Sequence, residues 1–137
     1  MGLDIWTSDR ELDFHIGYFG FTRMRAFFVL HYGESLYNDY EEIIKSTMAL
    51  KEPAIDEDKF CEKVGDLNII LEHSDCDGEL SSQECKLLKP CLFVEEEAIL
   101  KIYPNHEYAN RIIQLMYEFI DLIKYCASNN DVKLIFG

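Results

Sequence analysis

The chain lacks any apolar run approaching the ~18 residues that a membrane span requires, so a membrane-embedded class is not expected. It has few helix- and strand-breaking residues, 3 Pro and 7 Gly in 137, which excludes collagen-like or linker-dominated chains. Its five cysteines (Cys61, Cys76, Cys85, Cys91 and Cys126) are odd in number and form no CxxC pair. A zinc ribbon or a full intrachain disulfide framework is therefore not expected. Met1 to Arg10 includes Asp4 and Asp9 and has no basic-then-apolar leader; together these features predict a cytoplasmic protein with reduced thiols. Basic residues are also scarce, 13 Lys+Arg against 26 Asp+Glu, a net charge of −13.

What is present is apolar. Hydrophobic residues make up 48% and aromatics 13%, too much for a disordered acidic tail. The length suits one globular domain, residues 1–137, that buries roughly two-thirds of its unfolded surface. The negative charge is concentrated. Residues 34–97 hold 18 acids and 6 bases, and so carry −12 of the −13. A field of that sign repels nucleic-acid phosphate and anionic membranes and attracts basic protein surfaces.

Periodicity predicts the architecture. Leu3–Thr7 alternates, as do Leu12, Phe14, Ile16 and Tyr18, so these segments read as an N-terminal hairpin. From Phe21 to Tyr32 the apolar spacing turns helical. Further helices are expected from Ser35 to Pro53 and from Asp56 to Leu71, with Gly65 a weak point. Ser81 and Glu84 form an S-x-x-E capping box that opens a short helix through Leu88. Residues 92–104 read ambiguously. The clearest helix is Asn105–Ala127, where Ala109, Ile112, Ile113, Met116, Phe119, Ile120 and Ile123 share one face. Val132–Phe136 reads as a closing strand. The expected fold is α+β: a small, mainly antiparallel three-strand sheet, hairpin plus C-terminal strand, packed against about four to five helices.

Two stretches invite chemistry. In His73-Ser-Asp-Cys-Asp-Gly-Glu-Leu-Ser-Ser-Gln-Glu84, placing Gly78 at the sixth position puts His73, Asp75, Asp77 and Glu84 at positions one, three, five and twelve of a calcium loop. Over those twelve residues the segment resembles an EF-hand. It departs at His73, which supplies nitrogen where a carboxylate is expected. A His-Asp-Asp set suits Mn or Zn instead, and capping alone accounts for Ser81 and Glu84. A divalent metal held by His73, Asp75, Asp77 and Glu84 is one expectation. The other stretch is the glycine-bearing turn before the first helix, with Arg23 and Arg25, where anions bind in other folds. Ion pairing of these arginines with the acidic region is the simpler expectation.

Catalytic patterns are thin. There is no G-x-S-x-G or HExxH. Asp4 and His15 can meet across the hairpin, and an enzyme built on Asp4, His15, Arg25 and His73 would need all four to share a pocket. Tyr32, Tyr37, Tyr40 and Tyr103 suit either the core or a surface ringed by carboxylates.

Met1-Gly-Leu-Asp-Ile5, His15-Ile-Gly-Tyr-Phe-Gly-Phe21 with Arg25, and His73-Ser-Asp-Cys-Asp-Gly-Glu-Leu80 together resemble a set of short phage and bacterial proteins. These share an MGLDI start, a glycine-aromatic segment before a helix and an HSDCDGE-like loop, and carry no established activity. The resemblance implies a mobile-element context, in which small acidic proteins block a host nuclease or defence complex. The expected function is accordingly non-enzymatic: an acidic protein that captures and blocks a basic, nucleic-acid-binding protein surface, as an anti-CRISPR does. Asp75, Asp77, Glu79, Glu95, Glu96 and Glu97 are its expected contacts. The alternatives are the metal module, an immunity protein neutralising a basic toxin, and a small enzyme.

Overall fold

A computed structural model describes residues 2–137. Strands β1 (Leu3–Thr7) and β2 (Asp13–Ile16) form the expected hairpin, with Asp4 opposite His15 and Trp6 opposite Asp13. The C-terminal strand β4 (Leu134–Phe136) pairs with β1 on its other side. The expected three-strand sheet has a fourth member. The two-residue β3 (Glu79–Leu80) pairs with β4, giving an antiparallel order β2-β1-β4-β3. Two residues carry no readable alternation. The strand forms because β4 offers an open edge, and the Phe136 amide donates to the Gly78 carbonyl at 2.9 Å.

Alternation gives the sheet two unlike faces. Leu3, Ile5, Phe14, Ile16, Leu80, Leu134 and Phe136 are buried on one face. Asp4, Asp13, His15 and Glu79 are exposed on the other, with Trp6 and Ile135 half-buried among them.

Six helices have about two turns or more: α1 (Tyr18–Val29), α2 (Glu34–Met48), α3 (Glu57–Val64), α5 (Ser82–Leu88), α6 (Glu96–Ile102) and α7 (His106–Ser128); α4 (Asn68–Leu71) is a single turn. The helix expected over 56–71 is divided at Gly65, whose φ of +56° ends α3 and leads through a 3-10 turn into α4. The ambiguous 92–104 stretch contains α6. Helix α1 starts three residues earlier than its apolar pattern indicates, because Gly17 is extended and its carbonyl accepts from the Phe21 amide. Gly20 is closely packed within it: a Cβ there would lie 3.0 Å from the Ile16 side chain and 3.4 Å from that of Ile112, which would have to give way. Helix α2 starts at Glu34 after Gly33, so Ser35 lies inside the first turn and is not its cap.

Other local signals hold. Asp56 caps α3 and Asn105 caps α7 through side-chain oxygens. The Ser81–Glu84 box is complete, at 3.1 and 3.0 Å. Helix α7 is the central element, packing on the sheet and on α1, α5 and α6. Of its predicted face only Ile120 stays partly exposed. Tyr37 and Tyr40 are buried and Tyr32 and Tyr103 half-buried, so the aromatic surface anchors considered from sequence are mainly core. No helix among the described residues is long and apolar enough to cross a membrane.

Candidate functional site: an acidic layer and its clamped loop

The carboxylates of 34–97 ride on α2, the segment between α2 and α3, α3, the 3-10 turn before α4, the 72–79 loop, and the starts of α5 and α6. Helix α2 packs on α3, and α4 packs on α5, so much of this charge occupies adjoining elements. Among the described residues, only three of its 18 carboxylates are ion-paired: Glu41 with Arg23, Glu79 with Lys133 at 3.2 Å, and Glu95 with His31 at 3.0 Å. Arg23 pairs with a carboxylate as expected; Arg25, expected to pair likewise, has no ion-pair partner among the described residues and donates to backbone carbonyls instead. Of the other carboxylates, Glu42, Asp56, Glu72, Glu84 and Glu96 accept hydrogen bonds from protein groups, and the rest have neither an ion-pair nor a hydrogen-bond partner among the described residues.

The six expected contacts divide into two groups. Asp75, Asp77 and Glu79 belong to the loop that enters β3, and Glu95, Glu96 and Glu97 to the start of α6. Three of the six have intramolecular partners: Glu79 and Glu95 as above, and Glu96, which accepts from the Tyr117 hydroxyl at 2.7 Å. Asp75, Asp77 and Glu97 are exposed and take no part in an ion pair among the described residues.

The loop carrying Asp75 and Asp77 is held from below by Arg25, a role the sequence did not signal. The Arg25 guanidinium donates from Nη2 to the His73 carbonyl at 2.5 Å and from Nη1 to the Leu71 carbonyl at 3.4 Å. It lies 4.0 Å over the Phe21 ring, and its Nε is buried without a partner. Burial pushes the Arg25 pKa down; the Tyr40 hydroxyl and the Asp75 charge oppose that shift. At the loop's other end Gly78 has φ +98°, a conformation in which a side chain would be strained. That glycine turn was legible in the sequence.

His73, Asp75, Asp77 and Glu84 are not brought together. Among the described residues no three His, Cys, Asp or Glu side chains group to hold a metal ion. His73 donates from Nδ1 to the Ser74 carbonyl at 2.8 Å, and its ring lies 4.1 Å from the Phe136 ring. Glu84 closes the capping box. Calcium or manganese at millimolar concentration, and a chelator, are therefore expected to leave the Tm unchanged. A metal-induced rise above about 2 °C, roughly 0.5 kcal/mol of linked binding, would show that the loop rearranges into a site.

Asp4 and His15 do meet, Asp4 accepting from His15 Nδ1 at 2.8 Å, with both side chains about two-thirds exposed. They lie on the open face of the sheet. Arg25 and His73 lie on the covered side, His73 against Phe136, whose β1 partner is the buried Ile5. The four groups considered for catalysis thus form two pairs on opposite sides of the sheet.

The class defined by these features is an acidic α+β domain with a one-sided antiparallel sheet and a clamped acidic loop. No protein-family model, curated protein or solved structure matches the chain.

Proposed function

We propose that this protein acts by binding rather than by catalysis: its acidic layer captures a Lys/Arg-rich protein surface, one that otherwise holds nucleic acid, and blocks it. Phage or mobile-element inhibition of a host defence complex, as by an anti-CRISPR, is the biological form of that reading. The observation that carries it is the large surplus of 34–97 carboxylates left without ion-pair partners. Such a surplus destabilises the isolated fold by self-repulsion and is relieved when a cationic surface covers it. The clamp on the 72–79 loop adds a second support. Arg25 fixes the backbone at the start of that loop, at Leu71 and His73, which reduces the ordering entropy to be lost when Asp75 and Asp77 make contact.

Charge of this kind acts first on encounter. Steering raises the association rate, and neutralising a rim carboxylate lowers it more than it raises dissociation. The test is affinity capture from the native host, followed by affinity measurement on the partner identified. Between about 0.1 and 1 M salt the Debye length falls from roughly 10 to 3 Å, and the association constant is expected to fall by at least about tenfold. The triple variant Asp75→Asn, Asp77→Asn, Glu97→Gln is expected to slow association in low salt. Affinity indifferent to both salt and the triple variant would overturn the reading. A small basic toxin as the captured partner would instead assign the same surface to an immunity protein.

A further inference from the structure

Strand β2 ends the sheet with an open edge. The Thr7 amide donates to the Leu12 carbonyl at 3.0 Å, and on the β4 side the Gly137 amide donates to the Asp4 carbonyl at 2.9 Å. Bonded and non-bonded pairs alternate along an antiparallel ladder. Phe14 and Ile16 therefore bond to β1, while the amides and carbonyls of Asp13 and His15 point outward. No backbone group among the described residues meets them. The strand has no proline, no lysine and an unbroken register, so few of the devices that blunt an edge protect it. Apolar surface adjoins the edge. Ile16 leads into a groove of about 440 Å³ lined also by Tyr108, Ile112 and Leu115. Phe19, on the same groove, is 82% exposed.

The edge is complementary to itself. With two β2 strands antiparallel about a two-fold axis at Phe14, Asp13 lies opposite His15 of the second copy, and His15 opposite its Asp13. Each outward amide then meets an outward carbonyl. An axis at Asp13 or at His15 would instead set like side chains face to face. His15 Nδ1 is engaged by Asp4 at 2.8 Å, which leaves Nε2 for the Asp13 carboxylate of the second copy. Leu12, half-buried, comes opposite Ile16 of the other copy, beside the apolar groove. Opposite-charge and apolar cross-strand pairs stabilise a sheet, and a two-fold axis makes each of them twice. We infer that the open β2 edge pairs with the β2 edge of a second copy, joining the two sheets into one continuous antiparallel sheet. The net charge of −13 opposes self-association, but most of it is placed elsewhere. Residues 34–97 carry −12, and β2, α1 and α7 lie outside that range. The acidic 72–79 loop enters β3 at the opposite edge of the sheet. That is three strand spacings or roughly 14 Å away, beyond the roughly 8 Å Debye length of physiological salt. Of the acids on the hairpin, Asp4 and Asp9 are already engaged by His15 and Tyr125; Asp13 is the one the second copy meets with His15. The inference does not rest on the capture reading.

The test uses the full chain in physiological salt at about pH 6, where histidine is mostly protonated. Sedimentation and amide exchange are followed from about 1 μM to about 1 mM protein. A dimer is expected in the upper part of that range. Exchange at the Asp13 and His15 amides is expected to slow as concentration rises, with the α7 amides unchanged. Asp13→Lys sets a cation against His15, and His15→Asp sets two carboxylates face to face. Each variant alone, checked by circular dichroism to be folded, is expected to dimerise about tenfold or more weakly. An equimolar mixture restores an opposite-charge pair at both positions and is expected to associate again. A wild type that stays monomeric, a dimer with unchanged exchange at Asp13 and His15, single variants that associate as tightly as wild type, or a mixture that stays monomeric would each overturn the inference. The exchange measurement is made on wild type, so it decides the matter even where a variant fails to fold.

Discussion

Phe119→Ala is expected to destabilise the protein by about 3–5 kcal/mol. Phe119 is fully buried on α7, where the sheet, α1 and α7 meet. Its ring lies 6.0 Å from Phe14 of β2, edge-on at 61°, and 6.2 Å from Phe28 of α1. Truncation removes the transfer free energy of the ring and both aromatic contacts, and it leaves a cavity that three rigid elements cannot close. Domains of this size are stable by roughly 5–15 kcal/mol, so at least about a fifth of the total would be lost, with the Tm lower by about 10 °C or more. Chemical denaturation measures it directly through the midpoint. Phe119→Leu, which keeps most of the volume, is expected to lose less than half as much. A change below about 1 kcal/mol in the alanine variant would contradict this packing.

Arg25→Met is expected to lose about 2 kcal/mol, and with it the order of residues 72–78. Two effects oppose each other. Burying a guanidinium with an unpartnered Nε and no carboxylate in ion-pair range is costly, and methionine relieves that cost. Against this, the Leu71 and His73 carbonyls lose a charged donor, each such bond contributing roughly 1.5–3 kcal/mol, and the cation–π contact with Phe21 is lost. The second effect is expected to win because two acceptors and one ring depend on a single side chain. Arg25→Lys is not expected to rescue it, since a lysine ammonium lacks the planar fork that reaches two carbonyls. Amide exchange is the telling measurement: faster exchange across 72–78 and at the β3–β4 pairing, with α7 protected as before. Wild-type stability with unchanged protection of the loop would show that the clamp is not what holds it. If the loop loosens, the capture proposed for Asp75 and Asp77 should weaken as well.

Some of the site was legible before folding. The Asp4–His15 pair follows from period-two alternation in two strands joined by a turn. The Arg23–Glu41 pair follows the expectation that arginines in an acidic chain seek carboxylates. The calcium-loop spacing did not by itself group His73, Asp75, Asp77 and Glu84, because a spacing records distance along the chain and not where a side chain points. His73 lies against the Phe136 ring and Glu84 accepts from the Ser81 amide, so each is engaged elsewhere. Arg25 was expected in an ion pair, and its clamp gave no sequence signal, because its acceptors are backbone carbonyls 46 and 48 residues away and every residue has such a carbonyl.

The sequence by itself determined the α+β class, the hairpin, the central α7 with its buried face, the helix starts at Asp56 and Asn105, the capping box at Ser81, and the concentration of negative charge in the middle of the chain. Each is set by interactions within a few residues or by periodicity along one element, so each can be read locally. Tertiary structure alone decided the fourth strand, the Arg25 clamp, the division of the acids into paired and unpaired, and the groove beside the open β2 edge. Those depend on which distant groups are left unsatisfied once the core has closed, a competition settled only when the whole chain has packed.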